Sequence, residues 1–108
     1  NKLPKENLKH IFLMSDGLLI NGSQLTRGIN KVNKLIPVTG GMAGDGARFS
    51  ETYVIANDIS SLRTIVAVGF YGNSLSIQSG CFAGWSEFGA QRTITKSVGN
   101  ILYEIDNP

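Results

Sequence analysis

Three aspartates stand where carboxylate chemistry could arise. Asp16, Asp45 and Asp106 each end or follow an apolar, strand-like run. Carboxylates that converge at strand ends can trade protons or hold a cation. Nothing in their spacing brings them together, and Asp beside Gly or Asn is also ordinary turn chemistry. Asp45 has the most unusual surroundings, Gly40-Gly41-Met42-Ala43-Gly44-Asp45-Gly46, after the short apolar run Leu35-Ile36-Pro37-Val38. Glycines at this density let the backbone turn sharply and present N–H groups to a shared space. The segment reads either as a pocket wall for a small polar ligand, with Asp45 as acceptor, or as a structural turn in which Asp45 caps its own amides.

Other chemistries fail on residue type. Gly41 and Gly46 have phosphate-loop spacing, but Ala47 and Arg48 stand where Lys and Ser/Thr are required. Gly44 and Gly46 could begin a dinucleotide fingerprint, but Phe49 occupies the place of its third glycine. Cys81 and His10 form the one conceivable thiol–imidazole pair, and both read as packing residues. One His and one Cys cannot build a structural zinc site. No cofactor, metal or catalytic residue is expected. Trp85, with Phe82 and Phe88, could wall a pocket or pack the loop back onto the body. Arg48 and Arg92 could clamp a carboxylate, although solvated surface positions suit them equally.

The elements that must hold these residues follow from periodicity. His10 to Met14 is a buried interior strand. Asn21 caps a helix, with Gln24 completing a capping-box pattern and Ile20 and Leu25 a hydrophobic staple. Leu25, Ile29 and Val32 give the helix an apolar face, and it should stop near Lys34, before Pro37. Pro37 to Thr39 is a short strand, which makes one right-handed βαβ unit. Further strands are expected at Thr52 to Ala56, before a turn at Asn57-Asp58, and at Arg63 to Tyr71, read as the central strand. Gly72-Asn73 signals a hairpin into Leu75 to Ser79, with Leu75 and Ile77 facing inward. Arg92 to Val98 and Ile101 to Ile105 flank a second turn, Gly99-Asn100. The expected fold is α/β: one βαβ unit followed by an antiparallel meander, forming a mixed β-sheet with few helices.

Composition sets the outer bounds. The 108 residues fit a single domain. Only 17% are charged and 13 are glycine, which points to a turn-rich, folded chain. The net charge of +2 is spread without clustered cations, so nucleic acid is not an expected partner. No apolar run reaches the ~18 residues of a membrane span. A single cysteine forbids an internal disulfide and favours a reducing compartment. The chain starts at Asn1 and stops at Asp106-Asn107-Pro108 without a tail, as an excised piece of a longer protein would.

Several motifs recur together and in order. They are Phe12-Leu13-Met14-Ser15-Asp16-Gly17, Pro37-Val38-Thr39-Gly40-Gly41-Met42-Ala43-Gly44-Asp45-Gly46, Phe49, Thr52, Gly84-Trp85, Thr95-Lys96-Ser97-Val98-Gly99-Asn100 and Tyr103-Glu104-Ile105-Asp106. The set resembles the N-terminal region of the FIST sensory domain, with Glu87 where that family is expected to carry a proline. The resemblance implies an internal part of that domain, acting as an intracellular (cytoplasmic), non-enzymatic input module. It implies a small ligand such as an amino acid. As partners it implies the rest of the FIST protein with its C-terminal domain, and outputs such as a histidine kinase or chemotaxis-type transducer. The candidate ligand residues are Gly40, Gly41, Gly44, Asp45, Gly46, Trp85 and Asp106. Two alternatives stay open: an enzyme or enzyme-derived domain using Asp45 with a second carboxylate, or a purely structural or interaction module.

Overall fold

The structure, a computed structural model, describes residues 3–107. It is a mixed α/β fold with one helix among the described residues. In chain order the elements are β1 (Leu8–Ser15), α1 (Gly22–Val32), β2 (Val38–Met42), β3 (Val54–Ala56), β4 (Ile59–Ser61), β5 (Ile65–Tyr71), β6 (Ile94–Val98) and β7 (Ile101–Ile105). A three-stranded sheet has the order β2-β1-β5, and β3-β4 and β6-β7 form separate hairpins. β1 and β2 pair in parallel, from Ile11 opposite Val38 to Ser15 opposite Met42, with α1 as their crossover. β5 returns antiparallel on the other side of β1. β1 is therefore the central strand, and the β-branched Arg63–Tyr71 segment, read from sequence as central, supplies an edge. Its composition suits any pleated, half-buried surface and carries no information about position in the sheet.

Local signals explain most boundaries. The Asn21 side chain accepts the Gln24 amide at 3.0 Å and caps α1. Asn21→Ala should cost about 1 kcal/mol of stability, measurable by urea denaturation. Asn57 and Asp58 both have positive φ, 51° and 63°, which the tight β3-β4 turn requires. Gly99, at φ 59°, does the same between β6 and β7.

Three further expectations about the chain's elements differ from the structure. β2 runs on through Gly40 and Gly41, so the first half of the glycine segment is strand, because pairing with Leu13 and Met14 outweighs glycine's poor strand propensity. Leu75 to Ser79 alternates like a strand but forms none, because no neighbouring strand receives it among the described residues. The ring-bearing loop does not pack back: Phe82, Trp85 and Phe88 are fully exposed, with no receiving apolar face among the described residues.

The two faces of the sheet differ. α1 lies over the face that carries Leu13, Ser15, Val38 and Met42. The opposite face carries His10, Phe12, Met14, Val68 and Phe70. There the buried His10 ring shares a 2.7 Å hydrogen bond with the Thr39 hydroxyl and meets Phe70 edge-on. Among the described residues the buried apolar side chains are Leu8 and Val54, so much apolar surface remains in water. The radius of gyration, 17.5 Å, exceeds the ~13 Å of a compact chain of this length.

Candidate functional site

The C-terminal end of β1 is tied down by Asp16. Its residue is completely buried. One carboxylate oxygen accepts the amides of Leu18 and Leu19, at 2.8 and 3.0 Å, and the Thr52 hydroxyl at 2.6 Å. The other accepts the Arg63 amide at 2.7 Å. The Thr52 hydroxyl in turn accepts the Gly17 amide at 2.9 Å. The Leu19 amide foremost, then Thr52, hold the carboxyl well below the usual carboxylate range. Asp16 thus joins β1, the approach to α1, the segment before β3 and the segment before β5. Its oxygens are fully engaged by this framework, and its part is architectural.

Asp45 organises a second, exposed loop. One oxygen accepts the Phe49 amide at 3.1 Å, and the other accepts those of Ser50 and Glu51 at 2.8 and 3.0 Å. The Ser50 amide is the main cause of its lowered pKa. The Arg48 Nε donates to the Asp45 carbonyl at 3.1 Å, so a guanidinium stands beside the carboxylate. Gly46 needs its φ of 73°, whereas Gly44 has neither a left-handed φ nor a neighbour that a Cβ would strike.

Between α1 and the sheet lies an open crevice of about 520 Å³. β1 and β2 supply Leu13, Ser15, Val38, Thr39 and the Gly40-Gly41-Met42 run. α1 supplies Leu25, Thr26, Ile29 and Asn30, and Gly80 and Cys81 also line it. Open α/β sheets take ligands outside the carboxyl ends of parallel strands, and this crevice reaches that end of β1 and β2. Gly40 and Gly41 line it, and Asp45 follows Met42 by three residues. The helical contribution escaped the sequence reading. Leu25 and Ile29 read as packing residues, and nothing in their spacing says that α1 stands off the sheet.

The remaining candidates lie elsewhere in the hydrogen-bond network. Trp85 is 93% exposed. Asp106 closes the open end of the β6-β7 hairpin, accepting the Thr93 amide at 2.7 Å and pairing with Arg92 at 2.8 Å. The Thr93 amide, ahead of Arg92, lowers its pKa. Among the described residues no hydrogen bond or ion pair joins Asp16, Asp45 and Asp106 to one another: each carboxylate serves its own loop. Cys81 is exposed, contrary to its reading as a packing residue, while His10 is engaged with Thr39. Among the described residues no His, Cys, Asp and Glu side chains gather as a metal site. No helix there is long and apolar enough to cross a membrane.

The family model of the FIST N domain matches residues 1–108. No curated protein and no solved structure matches the chain. With the match running over all 108 residues of the chain, the chain belongs to the FIST N domain family, a family of sensory domains in signal transduction.

Proposed function

We propose that this chain is a cytoplasmic input module that senses a small polar metabolite, an amino acid first among them, at the crevice beneath α1. The observation that carries the reading is the crevice itself, with Gly40 and Gly41 in its wall. Asp45 and Arg48, three and six residues beyond Met42 in the chain, offer one negative and one positive group for a zwitterionic head. A backbone left open at Gly44 suits close approach of a ligand. Asp45 itself is occupied with loop amides rather than with a second carboxylate, which favours binding over acid–base catalysis. The exposed Phe82, Trp85 and Phe88 suit contact with the rest of the FIST protein, including its C-terminal domain, or with a kinase- or receptor-type transducer.

Binding can signal only if the ligand prefers one conformation of the protein. A thermal-shift and calorimetric screen with amino acids and small acids tests the reading. A raised melting temperature is expected. No shift at ~100 times a plausible dissociation constant would remove the crevice as a sensing site. Asp45→Asn keeps one accepting oxygen and replaces the other by an NH2 donor, so it loses either the Phe49 bond or the Ser50 and Glu51 bonds. It should weaken binding of a zwitterion by about tenfold or more, through loss of the countercharge. A thermal melt run beside the binding assay separates a loosened loop from a lost countercharge. Turnover by the unaltered protein that Asp45→Asn abolishes would instead support the enzymatic alternative.

A further inference from the structure

The crevice beneath α1 has a chemical bias: none of the residues that line it is acidic or basic. Its hydroxyls are also committed elsewhere. Ser15 donates to the Asp16 carbonyl at 3.0 Å, Thr26 to the Gly22 carbonyl at 2.9 Å, and Thr39 is paired with His10. Leu13, Leu25, Ile29, Val38 and Met42 supply the apolar side chains. A charged group placed there would lose water and meet no opposite charge, which is strongly unfavourable. An aliphatic group would gain from burial. Asn30, also in the lining, has a side-chain amide with no protein hydrogen bond among the described residues, so it can meet one neutral polar group.

We infer that the crevice receives an uncharged aliphatic part of the ligand and excludes a charged one, so ligands are discriminated by side chain. This rests on the reading that the crevice is the sensing site. The charged head, where there is one, stays outside the crevice.

Cys81 provides a direct readout. It is the one cysteine of the chain, it is exposed, and it borders the crevice. Its alkylation by iodoacetamide is followed in the unaltered protein with leucine, methionine, lysine, glutamate or the uncharged 3-methylbutanamide present, alongside calorimetry. Leucine, methionine and 3-methylbutanamide should slow alkylation severalfold. Leucine should bind at least about tenfold more tightly than lysine or glutamate, the factor that burial of one aliphatic side chain supplies. Equal protection by lysine or glutamate would overturn the inference. Calorimetric binding without protection of Cys81 would also overturn it while leaving a sensor whose site lies elsewhere. Protection by 3-methylbutanamide but by no amino acid would uphold the inference and remove the zwitterion from the proposed function. Neither binding nor protection by any of the compounds would end both.

Discussion

Asp16→Ala is expected to lower the melting temperature by ~10 °C or more, the largest effect of any side-chain truncation in this chain. The Asp16 carboxylate is the shared acceptor for three backbone amides and one hydroxyl, drawn from segments far apart in sequence. Truncation leaves those donors buried or half-buried without a partner, which costs more than the bonds themselves contribute. The chain has little apolar core to compensate, since Leu8 and Val54 are its buried hydrophobic residues among those described. Asp16→Asn should be milder, because one oxygen still accepts. Thermal melts followed by circular dichroism check both variants, and a melting temperature for Asp16→Ala within ~2 °C of the parent would refute the assignment.

The same carboxylate predicts sensitivity to acid. Folding lowers the Asp16 pKa from the ordinary 3.8, chiefly through the Leu19 amide, and Asp45 and Asp106 shift in the same direction. A group that binds its proton less readily when folded makes acid favour the unfolded chain. Its contribution is complete above pH ~5 and drains away as the pH falls below ~4. Stability measured against pH should therefore fall steeply at that end. Asp16→Asn should flatten the fall, because the strongest of the three shifts is gone.

Gly40→Ala should destabilise the protein by at least ~3 kcal/mol. Gly40 sits in β2 at φ 152°, opposite Leu13 of β1. A Cβ there would collide with the Leu13 backbone carbonyl, which cannot swing aside as a flexible side chain would. Relief requires β2 to part from β1, and that also deforms the crevice wall. Gly41→Ala is the control, because its Cβ would meet no atom within 4 Å and its φ is not left-handed. Urea unfolding of the two variants should therefore separate neighbouring glycines by at least ~2 kcal/mol. Equal losses would show that strand propensity rather than collision governs the segment.

How much of this was legible in advance can be judged from particular residues. The Asn21 cap, the βαβ order and the turns at Asn57-Asp58 and Gly99-Asn100 depend on neighbours a few residues apart, and each was legible. Gly40 and Gly41 were read as turn because glycine is a poor strand former, and the partner that overrides this lies some 27 residues upstream, at Leu13 and Met14. Leu75 to Ser79 has the alternation of a strand, but alternation describes a face, and a strand also needs a neighbour.

The candidate site divides along the same line. The chain's own letters carried the family, because an ordered set of motifs needs no coordinates, and they carried the caps, the turns and the α/β order, because these are local. Tertiary structure alone decided that Asp16 is a buried framework acceptor while Asp45 serves an exposed loop. The two carboxylates look alike in sequence and differ only in which distant amides reach them. It alone decided that Leu25 and Ile29 line a crevice instead of closing a core. Periodicity reports which side of a helix is apolar, whereas the gap between that side and the sheet depends on how the whole chain settles around it.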